Sequence, residues 1–134
     1  MLPNNHLIIA IDFDGTIVED AFPKIGEPMI FAFETIKKLQ SEGHRLILWT
    51  YRSGIKLQEA VDFCKENGID FYAVNKNYPE EIFDNKISRK IHADLFIDDR
   101  NLGGFPGWTE VYKQIFNYEP VVKKKKKGFF SLFR

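Results

Sequence analysis

Cysteine is almost absent: Cys64 is the single one in 134 residues. An internal disulfide is excluded, and the usage fits a reducing, cytoplasmic compartment. No run of 18 apolar residues occurs, so the sequence offers no membrane-spanning helix. The opening Met1-Leu2-Pro3-Asn4-Asn5-His6 lacks the basic stretch of a secretory signal. Net charge is missing too, because 19 Lys and Arg balance 19 Asp and Glu. No internal repeat is visible, and low complexity is confined to the lysine run at 123–127. Aromatic bulk is plentiful, with 13 Phe in a chain that is 44% hydrophobic and 28% charged. Such a composition belongs to a folded chain, and the length suits one domain able to bury about two-thirds of its unfolded surface.

The zero balance conceals an asymmetry. Residues 1–122 hold all 19 acids and 13 basic residues, a net of −6, while residues 123–134 hold six basic residues and no acid. We divide the chain into a domain, 1–120, and a basic, aromatic tail, 121–134. An acidic body is unsuited to non-specific nucleic-acid binding. The tail joins five lysines to Phe129, Phe130 and Phe133. That pattern allows a weak, reversible contact with an anionic membrane, at about 1 kcal/mol per lysine near the surface. The alternative is a plain disordered tail.

Strand and helix signals alternate through the body. Leu7-Ile8-Ile9-Ala10-Ile11 is a continuous apolar run of strand length, as expected of a strand covered on both faces. Residues 17–28, with two prolines and a glycine, read as a loop or small hairpin. Pro28 suits the first turn of a helix carrying Met29, Ala32, Phe33, Ile36 and Leu39, ended by Gly43. Arg45 to Thr50 is a second strand. Ser53 can cap a helix whose Leu57, Ala60, Val61 and Cys64 share a face, closed by Gly68. Phe71 to Val74 and Asp94 to Asp98 are further strands, residues 75–93 a mixed loop with a short helix, and Trp108 to Phe116 a last helix. This order predicts an α/β fold: a three-layer, Rossmann-like parallel sheet with helices on both faces. Ligands of such sheets bind beyond the carboxyl ends of the strands.

Those ends carry the chemistry. The first strand runs into Asp12-Phe13-Asp14-Gly15-Thr16, the second into Thr50-Tyr51-Arg52, the fourth into Asp98-Asp99-Arg100. Four carboxylates on one rim repel one another unless a cation compensates them. An all-oxygen donor set with room for water and phosphate suits Mg²⁺. Gly15 permits a tight turn and a close backbone approach to an anion. Together these groups support nucleophilic attack on phosphorus by a carboxylate.

Asp12-Phe13-Asp14-Gly15-Thr16 resembles the DxDGT signature of the haloacid dehalogenase (HAD) superfamily of phosphatases. Thr50-Tyr51-Arg52 is similar to a T-x-R form of its second motif, and Asp98-Asp99 after Leu95-Phe96-Ile97 to its fourth. The stretch Ala93 to Arg100 is also similar to that of the deoxyribonucleotidases. The short chain most resembles a cap-less branch of uncharacterised bacterial hydrolases. The resemblance implies a Mg²⁺-dependent phosphomonoester hydrolase acting through an aspartyl-phosphate on Asp12. Asp14 would be the general acid and then the base, its proton held by neighbouring negative charge. The metal would be held by Asp12, the Asp14 carbonyl and Asp98, with Asp99 as ligand or close neighbour. Thr50 would bond a phosphoryl oxygen. Arg52 reads equally as a phosphate clamp or a solvated loop residue. The family's lysine is Lys90, eight residues before Asp98, or Lys86, twelve before; Lys76 is a weaker third choice.

No cap domain is expected. Only 12 residues separate Thr16 from Met29, and only 15 separate Val74 from Lys90. The site would then be open unless a second copy of the chain covers it, and the substrate would be a small phosphorylated molecule. Two alternatives remain: a phosphoacceptor module like a receiver domain, and a degenerate relative that binds phosphate without turnover. Cys64 reads as a core residue, and Asn75, Lys76 and Asn77 as turn residues, with pocket lining the lesser option.

Overall fold

A computed structural model of the chain describes residues 6–82 and 90–116. Four strands, β1 (Ile8–Ile11), β2 (Arg45–Leu48), β3 (Ala73–Val74) and β4 (Leu95–Ile97), form one all-parallel sheet in the order β3-β2-β1-β4. Three helices accompany them: α1 (Ala32–Ser41), α2 (Gly54–Glu66) and α3 (Trp108–Phe116). The chain is thus an α/β fold consistent with a Rossmann-like sheet, and none of the described helices is long and apolar enough to cross a membrane. The expected tail, 121–134, and Lys86 lie outside the described residues, as do residues 83–89 of the 75–93 segment where a short helix was expected; the described part of that segment forms no helix.

The β-branched run Ile8-Ile9-Ala10-Ile11 makes β1, and strand alternation sorts its side chains between two faces. Ile9 and Ile11, with Leu46 and Leu48 of β2, face a core shared with Ile36 and Leu39, Ala60 and Cys64, and Trp108, Val111 and Ile115. Ala10, Ile47 and Ala73 face the other way, onto Ile91, Trp49, Tyr72 and Ala93. All three helices therefore contribute to one core. Helices on both faces were expected; among the described residues the second face is covered by the approach to β4 instead. The crossovers β1-α1-β2 and β2-α2-β3 step in the same direction, and right-handedness puts both helices on the same side. Helix α3 then returns against α1.

Helix α1 starts later than its apolar spacing suggests. Val18 pairs with Pro28, the Met29 N–H donates to the Ile17 carbonyl, and the Glu19 N–H donates to the Glu27 carbonyl. Pro28 and Met29 are therefore used by a small hairpin over residues 17–29, and the helix begins at Ala32. It ends as expected, with Gly43 in the left-handed region (φ 90). Ser53 takes the N-cap position of α2, but its side chain makes no capping bond.

Strand β1 is flanked by β2, which follows it in the chain, and by β4, which comes last. The direction of winding reverses between β1 and β4, which opens a crevice at their carboxyl ends. Two long-range bonds fix the loop that follows β1. The Asp12 N–H donates to the Ile97 carbonyl at 3.0 Å, and the buried Trp108 indole N–H donates to the Thr16 carbonyl at 2.7 Å. Trp108→Phe would keep most of the packing and leave that carbonyl unpaired. We expect a loss of about 1–3 kcal/mol in urea unfolding; an unchanged midpoint would show that water replaces the indole.

Candidate functional site

Asp12, Asp98 and Asp99 meet at the crevice. One carboxylate oxygen from each lies within 4.8 Å of the others. Asp12 is buried, while Asp98 and Asp99 are half-buried. Burial, and next the Asp98 carboxylate, push Asp12 up to about 7; a bond from the Phe13 N–H acts in the opposite sense, and Asp99 adds to the rise. The Thr16 hydroxyl donates to Asp12 Oδ2 at 3.2 Å. Arg100 reaches Asp99 at 3.9 Å, but its side chain is 86% exposed, and such a pair compensates little. Three oxygen donors at this spacing, with Asp12 raised by burial and by its acidic neighbours, could hold a hard, oxygen-seeking cation. The donor set alone does not distinguish Mg²⁺ from other oxygen-seeking cations.

Gly15 lies beside this cluster at φ 85, and a Cβ there would come within 2.2 Å of Asp99 Oδ2. Its N–H already donates to the Val18 carbonyl at 2.8 Å. That N–H is engaged within the turn, and Gly15 makes room for Asp99.

Asp14 has a different setting. Arg52 Nε donates to Asp14 Oδ2 at 2.7 Å and Nη2 donates to Oδ1 at 2.8 Å, with both side chains almost fully buried. The carboxylate expected to feel negative neighbours is gripped by a guanidinium, and it is not among the three acids that converge. Arg52 is correspondingly neither a phosphate clamp nor a solvated residue. Its Nη2 also donates to the Lys24 carbonyl, and its Nη1 to the carbonyls of Lys56 and Pro23, at 2.8, 3.2 and 3.4 Å. Those bonds engage all five guanidinium N–H groups. Arg52 Cζ lies 5.1 Å from the ring centroids of both Phe13 and Phe22. The residue ties Asp14, the hairpin tip and the start of α2 together. Sequence could not show that backbone carbonyls of the hairpin and of α2 consume the donors left over from Asp14.

Thr50 ends beyond β2, half-buried, with its hydroxyl accepting the Arg52 N–H at 3.2 Å. Its own N–H donates to Asn75 Oδ1 at 2.8 Å. Asn75 occupies the left-handed region (φ 54), and its N–H donates to the Leu48 carbonyl. It is a turn residue, as expected, and it also positions the Thr50 loop. Asn77 likewise accepts the His92 N–H and joins the loop after β3 to the approach of β4. Lys90 stands exposed on that approach, directly before the buried Ile91, and Lys76 is half-buried after β3. Cys64 is fully buried, and burial pushes its thiol up to about 12, in keeping with a core role.

Two outcomes can be measured. Between the ordinary 3.8 and about 7, the folded protein holds a proton on Asp12 that the unfolded chain has lost. Stability without metal therefore falls as pH rises through that window and levels off above it. In chelator, Tm should be lower at pH 8 than at pH 5, Asp12→Asn should reduce that difference, and Mg²⁺ should raise Tm far more at pH 8. A slope that persists undiminished in Asp12→Asn assigns it to another group. For the buried pair, Arg52→Met strands the Asp14 charge and should cost about 3–5 kcal/mol in urea unfolding. Adding Asp14→Leu should recover much of that loss, and strictly additive losses would mean that the two residues are not coupled.

No family model and no curated protein matches the chain. A solved structure of a conserved protein coded by a locus of Bacteroides thetaiotaomicron is 54% identical to it, with a TM-score of 0.80. The match covers 87% of this chain and 94% of that one. At that identity and coverage the chain belongs to the same family as this conserved Bacteroides protein.

Proposed function

We propose that the protein is a divalent-cation-dependent phosphomonoester hydrolase of the cap-less HAD kind, acting on a small phosphorylated molecule with Asp12 as nucleophile. The convergence of Asp12, Asp98 and Asp99 on one point carries this reading. Asp12, Asp98 and Asp99 would hold the cation, Mg²⁺ by the chemistry of the donors. When bound, it would supply positive charge against the phosphoryl oxygens and keep Asp12 ionised.

The chain's own groups would do the rest. The Asp12 carboxylate attacks phosphorus in line with the leaving oxygen. The bond to that oxygen breaks, and a phosphoryl group stays on Asp12. Water then attacks the same phosphorus and returns Asp12 as a carboxylate. The Thr50 hydroxyl, which accepts from the Arg52 N–H, keeps its proton to donate to a phosphoryl oxygen. Lys90 is our choice for the cation that screens nucleophile and phosphate. Asp14 would handle the protons, and to give one up it must first be freed from Arg52 at one oxygen. The 17–29 hairpin is too short to be a cap, so the substrate would enter from the open rim.

The same grip on Asp14 favours a second reading, a phosphoacceptor whose aspartyl-phosphate outlives one turnover, because water activation is then impaired. Phosphate release from an aryl phosphate separates the two. We expect multiple turnovers with Mg²⁺, loss of activity in chelator, and a fall of at least about 10³-fold in Asp12→Asn, in line with losing the nucleophile. Labelling of Asp12 by acetyl phosphate without turnover would select the phosphoacceptor. Full activity in Asp12→Asn would remove both readings.

A further inference from the structure

We propose that Phe22 and Tyr51 form the subsite for the leaving group, and that the substrate is a phosphate ester carrying a flat aromatic ring. The inference rests on the phosphohydrolase reading and names its substrate class.

Placement is the first ground. Tyr51 lies between Thr50 and Arg52, three residues after the end of β2, and Phe22 lies in the hairpin that follows Asp14. Both rings therefore sit at the carboxyl rim, on the β2 side of β1, while Asp98 and Asp99 lie on the β4 side. Adjacent strands are about 4.8 Å apart, so two spacings of roughly 10 Å separate the ends of β4 and β2. The nucleophile Asp12 follows β1, one spacing from β2, so a phosphoryl group at Asp12 and a ring on Phe22 and Tyr51 would be the two ends of one aromatic phosphate ester.

Exposure and rigidity are the second. Tyr51 is 60% exposed and Phe22 is 44% exposed, yet their centroids are only 5.0 Å apart at an interplanar angle of 54°. Two large rings thus share one apolar surface in water. Their support is fixed. The Phe22 ring lies against the Arg52 guanidinium, which also lies over Phe13, and the carbonyls of Pro23 and Lys24 beside Phe22 are bonded to the same guanidinium. The Phe22 N–H donates to Asp20 Oδ1 at 3.3 Å. Rings already held in place lose little conformational freedom when another ring stacks on them.

Charge is the third. Tyr51 lies near Asp20, and the nearby Arg52, whose charge is met by Asp14, has no N–H left to meet an anion. A leaving group with its own phosphate or carboxylate would be repelled here, whereas a neutral aromatic ring would not.

Benzyl phosphate, a nucleoside 5′-monophosphate and ribose 5-phosphate all release a primary alcohol, so they differ at the subsite more than in the chemistry. With full-length protein and Mg²⁺, kcat/KM for at least one ring-bearing ester should exceed that for ribose 5-phosphate by about tenfold or more, the effect of a stacking contact. Whichever ring is preferred shows whether it is an aryl group or a nucleobase. Tyr51→Ala, a change at an exposed position, should bring that ratio close to one, mainly through KM. Tyr51→Phe should retain it. Equal kcat/KM for all three esters, or a ratio that survives Tyr51→Ala, overturns the subsite and leaves the hydrolase reading standing. No release from any of them, with Asp12 unlabelled by acetyl phosphate, removes the hydrolase reading and the subsite with it.

Discussion

Carboxylates that approach one another away from bulk water need a positive charge, and the rim of this sheet answers that need in two ways within three residues. Asp14 has its counter-charge built in, because Arg52 grips both of its oxygens in the interior. Asp12 has none of comparable quality. It is buried beside Asp98 and Asp99, and the nearby Arg100 is largely in solvent. The free protein therefore holds Asp12 well above the usual carboxylate range. A cluster of this kind costs stability unless something compensates it, which is the physical basis of the proposed cation site.

The local sequence divides these roles. Asp12 and Asp14 are two residues apart, the spacing that would put both on one side of a regular strand, but β1 ends at Ile11. Beyond it, the N–H groups of Thr16, Ile17 and Val18 all turn back to the Phe13 carbonyl. The chain curls there, and the two acids part: Asp12 toward β4, Asp14 toward the loop after β2. Gly15 at the bend leaves the space that Asp99 occupies.

Arg52 links this electrostatics to shape. A guanidinium packed against both Phe13 and Phe22, with every N–H engaged, adds side-chain bonds to the few backbone bonds that hold the hairpin on the rim. The same residue thus sets the charge state around Asp14 and the position of the exposed rings. Asn75 acts in the same manner on a smaller scale: a side-chain oxygen on the loop after β3 fixes the backbone of Thr50.

The strands, the helical faces and the order of the chemistry-bearing segments were legible in the sequence, because apolar periodicity and glycine stops are local properties. Ile8 to Ile11, the Ile36 and Leu39 face and the Trp108 to Phe116 helix needed nothing beyond their own neighbours in the chain. The convergence of Asp12 and Asp98 followed from a general rule about parallel sheets. What only the tertiary structure decided was the partner of each polar group. Pro28 and Met29 left the helix because the hairpin used them, the described helices gathered on one core, and Arg52 turned inward to Asp14 instead of outward to solvent. Sequence spacing says where a donor is; which acceptor it meets depends on segments brought together by folding, and for Arg52 those lie at Asp14, Pro23, Lys24 and Lys56.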